Sequence, residues 1–313
     1  MNTRKWPRRL LKSFLAFGIL TALFIYTFFN TALFQYYRDL WVITAMSTSS
    51  HQYLATWFLS DEAINAILDS YEVVNTTDSD QSMIDVASST DAITVDSLNE
   101  NNYTGYVITI SDPTRVSLIS TTTANGSGTL LSTTAKTTDA LIAMNAGGYS
   151  VRRSSGNGTL NSLTIIDQEL LYGDSSEQYS MIGFTAAGVL MLGNYTYQQA
   201  LDAGIEDAIS FGPFLIVNGE NQITNTSSGG LQPRTAIGQT ADGMIILVVI
   251  EGRSTSSLGA TYYNLQEIMT RYGAVNAANL DGGGSSEIIY NQTRLNELSN
   301  NQERLLPTAI VVY

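Results

Sequence analysis

Between Ser13 and Phe34 the chain carries no charged side chain, and Asn30 is the only strongly polar interruption. A stretch of this length and composition can cross a hydrocarbon core only as a helix, because lipid offers no partner for the backbone groups of an irregular chain. Arg4, Lys5, Arg8, Arg9 and Lys12 precede it, and Gln35, Tyr36, Tyr37, Arg38 and Trp41 follow as an interfacial belt. The basic cluster keeps the N-terminus in the cytoplasm and directs the rest of the chain outside. A cleaved signal peptide is the competing reading. The apolar core is long for a signal peptide and no small-x-small site follows closely, which favours an uncleaved signal anchor. The expected organisation is a cytoplasmic basic tail over 1–12, a transmembrane anchor over 13–36, a juxtamembrane helical segment and polar linker over 37–102, and a body over 103–313.

Beyond Lys12 the chain has ten basic residues against 28 acidic ones, a net of −18. A body of that sign repels polyanions, so nucleic acid is excluded as a partner. Any arginine drawn into a pocket of such a body needs a reason to be there. The chain has no cysteine, which removes disulfides, thiolate metal sites and a thiol nucleophile. His51 is the only histidine, so neither a His-based metal site nor a conventional triad can be built.

Apolar residues at helical spacing predict helix over 38–73, with Ser60-Asp61-Glu62 as a start signal. From Val74 to Asn102 the chain is rich in Ser, Thr and Asp and reads as a linker. The body reads as β-rich. Strand candidates are Tyr106–Ile110, Val116–Ile119, Leu141–Met144, Leu163–Ile166, Met181–Phe184, Val189–Leu192, Phe214–Val217, Met244–Ile250, Glu287–Tyr290 and Ala309–Tyr313. One helix is well signalled by Leu265, Ile268, Met269 and Tyr272, with Gly273 as its stop, and a weaker one covers Tyr197–Ala203. Strands interspersed with few helices predict an α+β fold with a mixed β-sheet, preceded by one N-terminal transmembrane helix.

Polar-plus-glycine islands end or contain several of these apolar runs: Asn145-Ala146-Gly147-Gly148-Tyr149, Phe211-Gly212-Pro213, Pro233-Arg234-Thr235, Glu251-Gly252-Arg253 and Asp281-Gly282-Gly283-Gly284-Ser285-Ser286. Loops at strand ends are where a rigid scaffold carries function. In the last island a carboxylate stands before three glycines whose backbone can take positive φ and approach a ligand. Consecutive N–H groups of such a turn can form an anion-binding nest. A plain tight turn with a capping Asp is the competing reading for that run alone. Tyr149 suits stacking on a sugar ring or closure of the core, and its residue type does not separate the two. Asp and Glu with backbone carbonyls could bind calcium, though no EF-hand-like spacing is present, so a metal stays undecided.

Taken in order, these islands resemble the phosphodiester glycosidase family over 103–313. The anchor and the segment 42–71 lie outside it and are similar to those of membrane-anchored, exopolysaccharide-related bacterial members. The resemblance implies a hydrolase that cleaves a glycosyl-phosphate diester, with a glycan or glycosyl-phosphate polymer as substrate and no certain cofactor. It marks Asn145, Arg234, Glu251 and Asp281 as catalytic. It marks Gly147, Gly148, Thr235, Arg253, Gly282, Gly283, Gly284 and Ser285 as contacts to substrate or phosphate. The acidic residue after the long apolar strand is usually Asp in this family, and Glu251 departs from that pattern.

The chemistry supports such a set. A phosphate monoester leaves more readily than a sugar alkoxide, so the usual second carboxylate is less needed. The reaction then requires one placed carboxylate and a charge clamp on phosphate. Arg234 could supply a bidentate fork, and Asp281 or Glu251 the nucleophile or base. A non-catalytic glycan- or wall-binding module of an exopolysaccharide assembly system is the alternative, and it would tolerate loss of either carboxylate. A scaffold in an envelope biosynthetic complex is a third reading.

Overall fold

The computed structural model describes residues 8–48, 50–86, 90–151 and 158–313, in two compact units, 1–71 and 72–313. Arg4 and Lys5 lie outside the described residues.

In the first unit the helix Arg8–Asn30 contains a 21-residue span, Leu10–Asn30, long and apolar enough to cross a membrane. The helix stops at Asn30, six residues short of the expected end of the span, and a short 3-10 turn, Ala32–Phe34, follows. The segment expected to be helical over 38–73 is divided among three helices, Gln35–Met46, Tyr53–Thr56 and Asp61–Ser70. Ser60 caps the last by accepting from the Ala63 N–H, as the start signal predicts. Val42, Ile43, Ile64 and Ile67 form its small core. Asp39 is buried and held by Arg38 at 2.8 Å and the Tyr71 hydroxyl at 3.0 Å.

The second unit is built on a seven-stranded sheet ordered Ile93–Asn99, Thr104–Ile110, Ile245–Ile250, Arg234–Thr240, Ala274–Leu280, Phe214–Val217, Glu220–Asn221. Two five-stranded sheets complete it, one centred on Ile205–Ser210 and one on Ile142–Asn145. The α+β class with few helices holds. Where the sequence suggested a mixed sheet, the strand pairs among the described residues are antiparallel. Most consecutive strands are joined by short turns, and the helices are too few to supply the crossovers that parallel pairs need.

The middle of the large sheet is buried on both faces. One face, with Ile108, Leu247, Ile237 and Leu280, meets Met144 and Ile310 of one smaller sheet and Ile182 and Ile209 of the other. The opposite face, with Ala236, Ile246 and Val248, is covered by Leu265, Ile268 and Met269 of the helix Tyr262–Arg271. Double burial explains why Ile245–Ile250 reads as an unbroken apolar run rather than an alternating one. The covering helix begins with a Thr261–Asn264 capping box and ends before Gly273 at φ +79°.

The sequence reading erred in the segment 74–102. It supplies the strand Ile93–Asn99, which pairs along its full length with Thr104–Ile110. Upstream, the Ser79 N–H donates to the Leu192 carbonyl at 2.6 Å, and the Asn75 side chain accepts from the Phe214 N–H at 2.8 Å. A strand at a sheet edge needs few buried side chains, and Leu98 alone is buried in this one, so its composition looks like a linker. The strand Ala274–Leu280 is disguised for another reason. Ala277 and Ala278 are small because the helix and the sheets close tightly over them, and Asn276 and Asn279 bond to loop backbone. The helix Leu131–Thr137 is hidden by its threonines, whose hydroxyls bond back to carbonyls of the preceding turn.

A body cut to begin at residue 103 is expected to be less stable than one beginning at 72 by at least about 2 kcal/mol, the loss from Leu98 burial alone. Urea melts of the two would check this, and coincident midpoints would return the segment to the status of a linker.

Candidate active site

The site is assembled where four strand ends meet. Asn145 closes the strand Ile142–Asn145 and is 1% exposed. Its Nδ2 donates to Thr235 Oγ1 at 3.1 Å and to the main-chain carbonyl of Asp281 at 2.5 Å, while its Oδ1 accepts from the Glu287 N–H at 3.0 Å. Thr235 Oγ1 donates to the same Asp281 carbonyl, and the Asp281 N–H donates to the Ala146 carbonyl at 3.0 Å. Both backbone groups of Asp281 are thus fixed by neighbouring strands. The Asn145 amide is thus bonded into this framework and holds the Asp281 backbone in place.

The Asp281 carboxylate is half-buried and takes hydrogen bonds from the Ser285 side chain and the Gly282 N–H. Burial pushes its pKa up to about 6, against the opposing pull of those bonds and of the Arg304 charge.

The glycine turn does not form the expected nest. The Gly283 N–H donates to the Pro233 carbonyl at 2.8 Å, the Ser285 N–H to Gly282 at 3.1 Å and the Ser286 N–H to Gly283 at 3.4 Å. These donors face the protein because the turn tightens into a single 3-10 turn, Gly283–Ser285. The glycines serve close approach instead. Gly283 sits at φ +63° with Arg253 Nη2 3.1 Å from where a Cβ would stand, and a Cβ at Gly284 would overlap the Arg304 guanidinium.

Three arginines surround this turn, and among the described residues none of them forms an ion pair, whereas Arg38, Arg271 and Arg294 do. Arg234 is 6% exposed. Its Nε donates to Ala260 O at 3.1 Å, its Nη2 to Gly230 O at 3.0 Å and to Gly229 O, and its guanidinium lies 4.2 Å from the centre of the Tyr262 ring. Burial lowers its pKa. The bidentate phosphate fork expected of Arg234 is therefore turned onto carbonyls. Arg253, at φ +61°, donates from Nε and Nη2 to the Gln232 side-chain oxygen at 3.1 and 2.8 Å. Its pKa is lowered by burial and then by the neighbouring charges of Arg304 and Arg234. Arg304 Nη1 lies 3.4 Å from Ser285 Oγ, which in turn is 3.0 Å from the Tyr149 hydroxyl. Burial raises the Tyr149 pKa, partly offset by Ser285 and Arg304.

Glu251 is bound differently from Asp281. One carboxylate oxygen accepts from the Thr104 hydroxyl at 2.7 Å and the other from the Glu297 N–H at 2.8 Å. It ties the start of the strand Thr104–Ile110 to the segment around Glu297. Gly147 donates its N–H to Thr308 Oγ1 at 3.0 Å, and a Cβ on Gly148 would stand 2.9 Å from the Phe211 ring, so these glycines let the chain pass under Phe211. Among the described residues no group of three or more His, Cys, Asp or Glu is gathered as a metal cage.

Sequence reasoning missed Arg304 and gave no role to Gln232, which opens the island containing Arg234. Arg304 stands in an unremarkable Glu-Arg pair some twenty residues from the glycine run. The one available signal was the scarcity of basic residues in an acidic body.

The profile of the phosphodiester glycosidase family matches residues 138–313, more than half of the chain, and the protein belongs to that family. It is 30% identical over 193 residues to the SPbeta prophage-derived uncharacterized protein YomE of Bacillus subtilis (strain 168), covering 57% of this chain and 28% of that one. It is 29% identical over 178 residues to human N-acetylglucosamine-1-phosphodiester alpha-N-acetylglucosaminidase, covering 51% and 34%. The chain thus spans only about a third of these relatives' length. The catalytic domain of the zebrafish N-acetylglucosamine-1-phosphodiester alpha-N-acetylglucosaminidase, in a structure auto-inhibited by its pro-peptide, shares the fold with a TM-score of 0.59. Identity there is 22%, with 74% of this chain and 86% of that one covered.

The raised pKa of Asp281 has a stability consequence. A carboxyl that holds its proton more tightly when folded contributes stability below the unfolded pKa, ~3.9, and loses it as pH rises toward the folded value. Asp281→Asn does not titrate. It is expected to exceed the natural protein in stability by about 1 kcal/mol near neutral pH, after allowance for partial exposure, and by nothing at about pH 4. Thermal melts at the two pH values would check this, and a pH-independent difference would show that Asp281 ionisation carries no such strain.

Proposed function

We propose that the body is a hydrolase that cleaves the bond between an anomeric carbon and a phosphodiester oxygen, acting on a cell-surface glycan or wall polymer from the outer face of the membrane. The observation that carries this reading is Asp281: a half-buried carboxylate, anchored by both backbone groups, beside guanidiniums that form no ion pair within 4.0 Å among the described residues. Family membership supports the same bond. The human relative's name gives N-acetylglucosamine as the sugar on which that protein acts.

In the reaction the C1–O bond breaks and its electron pair leaves with the phosphate oxygen, while water adds at C1. Ionised Asp281 faces the oxocarbenium-like centre and stabilises it or takes the proton of the attacking water. The phosphate monoester is a good leaving group, so no second carboxylate is needed to protonate it. That agrees with Glu251 being committed to Thr104 and Glu297. Arg234 supports the loop frame from behind. Location rests on the anchor reading: the apolar helix spans the membrane, the basic residues at its start stay in the cytoplasm, and the body lies outside.

With the full-length protein and a sugar-1-phosphodiester, Asp281→Asn is expected to lower kcat by roughly 10²–10⁴ while binding changes little. Because the ionised carboxylate is the active form, kcat/KM of the natural protein should rise with pH through about 6. Near-normal turnover in Asp281→Asn would remove that residue from catalysis, and retained glycan binding without turnover in the natural protein would favour the binding-module reading. A reporter fused after Tyr313 should be accessible outside the cell and remain in the membrane fraction, and release into the medium would defeat the anchor.

A further inference from the structure

We propose that Arg304, with Arg253 across the glycine turn, is the phosphate grip of this site, and that the same grip holds the phosphomonoester product more tightly than the diester substrate. The inference deepens the glycosidase reading and rests on it for the identity of the anion as a phosphoryl group.

The three arginines at the turn differ in what their donors have left to do. Arg234 is shut in: Nε and Nη2 are used on the carbonyls of Ala260, Gly229 and Gly230, and Tyr262 covers its face. Arg304 is half-buried, and a guanidinium carries five N–H donors. Its contacts are the Tyr149–Ser285 hydroxyl pair, with Ser285 Oγ at a long 3.4 Å, and among the described residues no carboxylate stands within ion-pair distance. Arg253 is exposed, with Nε and Nη2 on one neutral amide oxygen. The two guanidiniums rest against consecutive glycines, Arg253 on Gly283 and Arg304 on Gly284, so they lie on one turn with only backbone beneath.

Two cations held close together, one exposed and one half-buried, repel each other unless an anion completes them. A protein with 28 acidic residues could have placed a carboxylate there and has not. The carboxylate that feels the Arg304 charge is that of Asp281, linked to it through Ser285. Arg304 therefore has two partners in reach: an anion on its free donors and the catalytic carboxylate through Ser285. A phosphodiester carries one negative charge. The monoester left by hydrolysis carries close to two near neutral pH, its second pKa being ~6. Two guanidiniums favour the more highly charged species, so product and inorganic phosphate should compete with substrate.

The test uses the full-length protein in detergent, with Arg304→Gln, Arg304→Lys and Arg234→Lys variants whose folding is checked by thermal melting. Inorganic phosphate is titrated by calorimetry, and hydrolysis of a sugar-1-phosphodiester is followed against pH. Arg304→Gln should weaken phosphate binding at least tenfold, raise KM, and move the acid limb of the pH profile upward because a positive charge near Asp281 is gone. Arg304→Lys should recover the limb but only part of the affinity, since a lysine cannot span two oxygens. Arg234→Lys should melt lower yet bind phosphate within a factor of two of the natural protein. If Arg304→Gln does not fold, the affinity comparison passes to Arg304→Lys and Arg234→Lys. Absence of phosphate binding by the natural protein would overturn the proposal. So would unchanged affinity and KM in the Arg304 variants, or greater loss of affinity in Arg234→Lys. Should the natural protein hydrolyse no diester while Arg304→Gln still loses phosphate, the anion grip stands and the glycosidase reading falls.

Discussion

The site depends on one oxygen, the main-chain carbonyl of Asp281. Asn145 and Thr235 both donate to it, and each belongs to a different sheet. Asn145 extends the link to the strand Ile288–Tyr290 by accepting from the Glu287 N–H. A carbonyl with two lone pairs takes two donors, and here both are buried side chains that are also bonded to each other. Removing either leaves a buried polar group unmatched, a more severe loss than the net value of one hydrogen bond. This junction fixes the carboxylate and makes the glycine turn that follows it a rigid platform.

Electrostatics explain why the platform carries arginines. The Asp281 carboxylate has lost part of its hydration, and only the Ser285 and Gly282 donors and the Arg304 charge offset that loss. Arg234 is compensated in a different way, by carbonyl oxygens and a tyrosine ring instead of a counter-ion. The surrounding ion pairs follow ordinary practice: Arg294 neutralises buried Glu287 at 2.7 Å and also reaches Glu303. Among the described residues, cations without an ion pair beside a carboxylate with a raised pKa are the pattern expected of a functional site, and they are what the proposed reading rests on.

Much of this was legible beforehand where local physics dominates. The apolar helix, the unbroken run Ile245–Ile250 and the capped helix Tyr262–Arg271 are set by periodicity and by end signals that act over four residues or fewer. The islands at 145, 234 and 281 were visible because glycine next to a polar residue at the end of an apolar run has few other uses. The strand Ile93–Asn99 was not visible, because an edge strand is held by its partner's backbone and leaves little trace in side chains. The strand Ala274–Leu280 was obscured by residues kept small to admit neighbours that sequence order does not reveal.

The division at the site has the same cause. The sequence by itself determined that an acidic, cysteine-free body would follow an apolar helix, and that Asn145, Arg234 and Asp281 would stand in polar-plus-glycine islands beside apolar runs. Only the tertiary structure decided what each does. It turned Arg234 inward onto carbonyls, bound both oxygens of Glu251, tied the N–H groups of Gly283, Ser285 and Ser286 to main-chain carbonyls and brought Arg304 over Gly284. Residue type limits which hydrogen bonds a side chain can make. Which of them it does make depends on neighbours brought together from distant parts of the chain.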